Sequence, residues 1–240
     1  MEHLLKSQAI EFRNLYGYNS SEPVNLISLL QRIDILAVFK PLSEDFSGLS
    51  IKIDKNNFIL INSNQSVGRQ NFTICHEIYH LFYDHDFVPH KCKTGLFPTK
   101  NNSERYADIF ASNLLLPEEG IIRLIPVDEM DRDKIRLATI LKIEQTFGSS
   151  RLALLNQLLK MKLISRDLVS QFSTGIKRGA KQHGYSVDLY EPNQDKMILG
   201  VYGSLANQLF DDGKISEGHY RELLMAIGVD INELNADEED

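Results

Sequence analysis

Two cysteines, Cys75 and Cys92, are all the thiols in 240 residues. That is too few for a disulfide framework and fits a reducing cytoplasm. Cys75 reads as a small buried apolar residue. No apolar run approaches the length of a membrane span, and Met1 to Lys6 lacks the charged-then-apolar layout of a signal peptide. Positive charge is not in excess. The formal net charge of −7 argues against nucleic-acid binding by the whole surface and suits docking onto a basic protein. Internal repeats and low-complexity blocks are absent too. What remains is a chain with 42% hydrophobic residues, enough for a globular core, and long enough for one large domain or two small ones.

Within it, His76-Glu77-Ile78-Tyr79-His80 stands out. On an α-helix, residues four apart share a face, so both imidazoles can reach one metal ion. Glu77 lies about 100° around the helix from His76. Its carboxylate then falls beside the metal, where it can take a proton from a metal-held water. By chance this spacing arises in roughly one chain in a hundred of this composition, so the motif needs support from elsewhere.

Support comes from Ser103 to Pro117. Ala107, Phe110, Ala111, Leu114 and Leu115 follow helical spacing, with Ser103 as an expected N-cap and Pro117 as a stop. Glu104, Ala107, Asp108, Ala111 and Leu115 share a face. Two alanines there let this helix approach the motif helix closely, and two carboxylates on an apolar face are costly unless paired. A zinc site needs a third protein ligand and one open position. We therefore assign Glu104 as third ligand and Asp108 as acceptor for the second nitrogen of a ligand histidine. The expected cofactor is one zinc, or another divalent metal, per chain. An exposed first-turn glutamate is the bland alternative for Glu104. Cys92, His85 and His90 lack the regular spacing of a second metal site.

These segments resemble a known family. The run Gln70 to Leu81, followed by Glu104-x-x-Ala107-Asp108-x-Phe110-Ala111-x-x-Leu114-Leu115-x-Pro117, resembles the ImmA/IrrE zinc metallopeptidases, which are bacterial and phage-associated. The Glu-x-x-x-Asp arrangement is also similar to that of thermolysin-type enzymes. Upstream, Phe58 to Asn62 followed by Arg69 resembles the strand before the active helix, and the likeness covers roughly residues 20 to 120. One departure is Tyr79, where the family usually has a small residue such as glycine; a bulky side chain there narrows the cleft or adds a hydroxyl to it. The resemblance implies a zinc endopeptidase that cleaves a transcriptional repressor of helix-turn-helix type, releasing genes of a mobile element or a stress response. Candidates for stabilising the oxyanion are Tyr79, Tyr83, His85, His90 and Tyr106, a choice the sequence leaves open.

The expected fold class is α+β: a small antiparallel sheet packed on the motif helix and the Glu104 helix, then a mostly helical C-terminal half. Helices are expected over residues 4 to 16, from Ser21-Glu22-Pro23 through Leu30, and from Ser216 to Ile227, and a strand over Ile35 to Phe39. Phe46 to Ile53 and Phe58 to Ser63 read as strands joined by a hairpin-like turn, and the connection from Asp84 to Asn102 as a long loop of the kind that forms lids. Phe58, Ile59, Leu60, Ile61 and Asn62 are assigned to an edge strand that pairs with the substrate backbone. Three regions follow: a peptidase domain over 1–125, a helix-turn-helix-like segment over 126–175 and a small α/β region over 176–240. In the second, helical patterns over 135–146 and 151–161 meet at Phe147-Gly148-Ser149-Ser150, with Gly148 as C-cap and Ser149 or Ser150 as N-cap. Nearby Arg151, Lys160, Lys162 and Arg166 raise DNA reading, but Asp131, Asp133, Glu144 and Asp167 favour a hairpin packed on the peptidase domain. Lys177 to Lys181 reads as a solvated basic patch, and Val187 to Tyr190 and Met197 to Tyr202 as strands. The rival functions are a zinc-stabilised repressor-binding or antitoxin module without turnover, and a DNA-binding regulator.

Overall fold

Apolar side chains recurring at helical spacing account for most of the architecture. The computed structural model describes residues 1–53, 56–84, 102–193, 197–199, 202–227 and 229. In chain order these form α1 (Glu2–Leu15), α2 (Leu26–Arg32), β1 (Ile35–Lys40), β2 (Gly48–Ile53), β3 (Asn56–Asn62), α3 (Val67–Phe82), α4 (Asn102–Leu115), α5 (Glu118–Leu124), α6 (Leu137–Phe147), α7 (Arg151–Lys160), α8 (Arg166–Phe172), α9 (Ile176–Gln182), β4 (Met197–Leu199), α10 (Tyr202–Asp211) and α11 (Glu217–Ala226). The layout is α+β with a helical C-terminal half, as the sequence suggests.

The sheet is mixed rather than wholly antiparallel. Its order is β2-β3-β1-β4, with β1 parallel to β3 and antiparallel to β4, and β2 antiparallel to β3. This corrects the assignment of Phe58, Ile59, Leu60, Ile61 and Asn62 to an edge. They lie in β3, paired on both sides. The physical reason lies in their own apolar run: Ile59 and Ile61 are fully buried, and a continuous apolar stretch suits a strand inside a sheet rather than at its rim. Among the described residues β2 and β4 are the two outer strands, with β2 joined to β3 by the hairpin.

Asn62 fixes the approach to β2. Its fully buried amide donates to the carbonyls of Ser43 and Phe46 and accepts from the backbone N–H of Leu42 and Asn64. One side chain thereby satisfies the turn from residue 41 to 47 that delivers β2, which would otherwise bury unpaired backbone groups. Gln70, near the start of α3, donates to the carbonyls of Ser63 and Gln65 and ties that helix to the end of β3.

α3 packs on β2, β3 and α4, and α4 packs on α1. The core fills these layers with Phe12, Ile59, Ile61, Ile78, Phe110 and Leu114, each at most 2% exposed. Arg13, also fully buried, spends its guanidinium on the carbonyls of Asn19, Glu22 and Leu114, so it staples the 16–25 connection to the end of α4.

Some local expectations shift. Pro23 lies outside α2, which is capped by the Asn25 side chain on Ser28 N–H. α4 begins at Asn102, so Ser103 sits inside the first turn rather than capping it. Gly148 is left-handed at φ 62, closing α6, and the Ser150 side chain caps α7, as their chemistry suggests. Val187 to Tyr190 holds a short 3-10 turn over Asp188–Tyr190 instead of a strand. Part of the 54–57 turn and nearly all of the Asp84 to Asn102 connection lie outside the described residues. Among those described, no helix is long and apolar enough to cross a membrane.

Candidate metal centre

α3 carries His76 and His80 one turn apart, and α4 packs close to it because Ala107 and Ala111, both fully buried, keep the contact side of α4 small. Glu104 in the first turn of α4 then reaches both imidazoles. Its Oε2 lies 3.3 Å from His76 Nε2, its Oε1 lies 3.3 Å from His80 Nε2, and the two Nε2 atoms are 3.2 Å apart. All three residues are buried, at 0%, 1% and 4% exposure for His76, His80 and Glu104.

The donor set fits a metal. A tetrahedral ion held at about 2.0–2.2 Å separates its ligand atoms by roughly 3.3–3.6 Å, close to the 3.2–3.3 Å found here. The tautomers agree. His76 Nδ1 lies 2.9 Å from Asp108 Oδ1, and His80 Nδ1 lies 3.0 Å from Asp84 Oδ2. An ionised carboxylate only accepts, so each Nδ1–H donates outward and each Nε2 presents a lone pair inward. Two lone pairs and a carboxylate converge on one point, an arrangement that a cation stabilises. His76, His80 and Glu104 are the one group of this kind among the described residues.

Glu77 sits beside this cluster on the same helix, fully buried. Its Oε2 accepts a hydrogen bond of 2.7 Å from Ser50 Oγ on β2, and its Oε1 has no hydrogen-bond partner among the described residues. Gly48 makes the room for it. A Cβ at position 48 would stand 2.8 Å from Glu77 Oε1 and 2.5 Å from Thr73 Cγ2. A buried carboxylate with one oxygen held and the other uncommitted is poised to accept a proton.

The tyrosines named from the sequence lie apart from one another in role. Tyr79, 7% exposed, fills the seam between α3 and α4, with its ring 5.7 Å from that of Phe110 and stacked on Tyr83 at 6.2 Å. Burial first, then the charge of Asp84, pushes its hydroxyl up to about 12. Tyr83 faces α1, where its ring meets Phe12 and its hydroxyl donates to the Gln8 carbonyl at 3.4 Å. Tyr106 is half-buried and packs on the core. His85, His90 and Cys92 lie outside the described residues.

Three contributors escape a reading of the sequence. Asp84 stands four residues beyond His80, the same spacing that joins His76 to His80, and that regularity is a usable signal. Ser103 also donates to it. Ser50 and Gly48 have no local signal, since they reach Glu77 only through the placing of β2 across α3.

The 135–171 helices are seated on this unit. Asn71 Nδ2 on α3 donates to the Gly148 carbonyl at 2.8 Å, and the backbone of Ser149 and Ser150 comes so close to Gly68 that a Cβ there would lie 2.7 Å from Ser150 N. Arg151 is buried in an ion pair with Glu144, whose Oε2 also accepts from Tyr190.

A comparison with protein families finds that the Peptidase_M78 model, described as the IrrE N-terminal-like domain, matches residues 30–159. That span contains His76, Glu77, His80 and Glu104, and also α6 and all but the last residue of α7. No curated protein matches the chain.

Proposed function

The chain belongs to the IrrE N-terminal-like peptidase family, and on that footing we propose that it is a zinc-dependent endopeptidase whose substrate is a flexible segment of a helix-turn-helix repressor. The observation that carries this reading is the convergence of His76, His80 and Glu104 next to a buried, half-committed Glu77. On this reading His76 Nε2, His80 Nε2 and a Glu104 oxygen would hold the zinc. When bound, the metal supplies Lewis-acid polarisation of a carbonyl and a lowered pKa for a water. Glu77 Oε1 takes the proton from the attacking water and hands it to the leaving amine, while Ser50 keeps the carboxylate aimed. Asp84 and Asp108 hold the imidazole tautomers.

The substrate backbone lies along β2. That strand is an outer strand of the sheet among the described residues, and its Ser50 touches Glu77, so an added strand would pass the base. Asn62 N–H donates to the Ser47 carbonyl, and the ladder alternates from there, which turns the N–H groups of Gly48, Ser50 and Lys52 away from β3, to the side where no described strand pairs with β2. A folded helix cannot pair there, so the cleaved region is extended or unfolds locally. The seating of the α6–α7 turn on α3, with Arg151 committed to Glu144, favours these helices as scaffold over a DNA reader. Incubation of the zinc-loaded protein with the helix-turn-helix protein of a neighbouring gene, followed by mass spectrometry of the products, tests the reading. New termini at one bond support it; an intact repressor bound stoichiometrically favours a module without turnover.

A further inference from the structure

A groove of about 760 Å³ opens along α3, α4 and α7, and Asp108 forms part of its wall. Asp108 is the same residue that holds His76 Nδ1, so the groove adjoins the metal centre rather than lying on a distant face. Arg69 and Phe72 line it from α3, about two turns and one turn before His76 respectively. Arg105 lines it from α4, Lys160 from α7 and Lys177 from α9. Arg151 also borders it, but its charge is neutralised by Glu144.

The sign of the charge here opposes that of the molecule. The chain is at −7, yet four cationic side chains, Arg69, Arg105, Lys160 and Lys177, meet only Glu2 and Asp108 as acidic lining. Arg105 and Lys160 are exposed and make no ion pair among the described residues. Lys177 is paired with Glu191 at 3.1 Å. A concave, partly apolar wall concentrates the potential of such groups and selects a ligand of opposite charge. An extended peptide on β2 must leave the metal centre on one side or the other; no β2 residue lines the groove, but Arg69 on its wall donates to Ser47 Oγ at 3.5 Å, immediately before β2, and so links the two.

We infer that the groove binds an acidic stretch flanking the scissile bond of the protein substrate, and so sets specificity for aspartate and glutamate on that side. The inference rests on the peptidase reading and narrows it. It also reverses the partner suggested by net charge: a basic protein suits the average surface, whereas the groove suits an acidic segment.

The test uses the full zinc-loaded chain carrying Glu77→Gln, so that peptides stay uncut, and short fluorescent peptides of equal length that are acidic, neutral or basic. Anisotropy should show the acidic peptide binding roughly tenfold more tightly than the neutral one, with the preference fading as salt rises. Arg105→Glu with Lys160→Glu should abolish that preference. Lys134→Glu with Lys142→Glu, which makes the same change in net charge outside the groove, should keep it. Equal affinity for all three peptides overturns the inference, as does a preference that survives the groove reversals. Tighter binding of a single-stranded oligothymidine, lost on the same reversals, also overturns it and makes the groove a nucleic-acid site. Digestion of the same peptides by the chain with Glu77 intact separates the two claims. Cleavage without acidic preference removes the specificity and leaves the peptidase; acidic preference in binding without any cleavage removes the peptidase and leaves the groove.

Discussion

The carboxylates behind the two imidazoles set how tightly a metal is held. Asp84 and Asp108 each accept from one Nδ1, which orients the ring and strengthens the opposite nitrogen as a ligand. Replacing either by asparagine should weaken zinc affinity roughly 10–100-fold, measured by competition with a chelator, with Glu104→Ala weaker still. Unchanged zinc affinity in Glu104→Ala would remove that residue from the ligand set. Gly48 should prove as sensitive as a polar residue. In Gly48→Ala the new methyl collides with Glu77 and Thr73, so peptide cleavage should fall by at least tenfold, roughly the scale of a misplaced general base, while zinc content holds. Cleavage at the parent rate would show that the base tolerates displacement. At this scale the sequence is most legible where chemistry is local. The histidines, Glu77, Glu104 and Asp108 are found from spacing on two helices. Asp84 is missed although its spacing is regular, and Ser50 and Gly48 are missed because only tertiary structure brings them to α3.

Helices are readable because each carries its own periodicity and its own stops; strands are readable in position but not in partner. The position of β3 just before the motif helix suggests an edge, yet β2 pairs with one side of it and β1 with the other, and no local pattern announces the parallel pairing with β1. On the proposed function β2 takes the substrate-pairing role, with a consequence for activity. Lys52→Pro removes an outward N–H without touching the ladder to β3, so substrate cleavage should drop roughly 3–10-fold, the worth of one hydrogen bond, with zinc unaffected. An unchanged rate, with thermal unfolding also unchanged, would place the substrate elsewhere. The contact between α3 and the α6–α7 turn makes a further prediction. Gly68→Ala drives a methyl into the Ser149 and Ser150 backbone, and overpacking of this kind costs about 1–3 kcal/mol, to be read from urea unfolding. A neutral effect would mean that the helical pair is loosely attached and free to act on its own.

The molecule as a whole joins its segments through a buried polar knot. Glu144 takes Arg151 and Tyr190, and β4 pairs with β1, so the residues after 176 are tied to both the helical pair and the sheet. Burial, aided by Glu144, pushes the Tyr190 hydroxyl from 10.0 up to about 12, and burial also raises Tyr83 to about 12. The sign follows directly. Below the unfolded value both states keep the proton; above it the unfolded chain loses its proton first, so stability present below pH 10 is lost as pH rises toward 12. The urea midpoint should fall over that interval, and less steeply in Tyr190→Phe. A flat midpoint would contradict the burial of these hydroxyls.

Metal and base together make the central claim, and one variant separates them. Glu77→Gln keeps the side-chain shape and removes the proton acceptor. Purified beside the parent chain, it should contain the same zinc per chain and unfold at the same temperature. On a mixed-sequence peptide library read by mass spectrometry, the parent should generate new termini and the variant should be slower by at least about 10²-fold. Cleavage by the zinc-loaded variant at the parent rate would contradict the account.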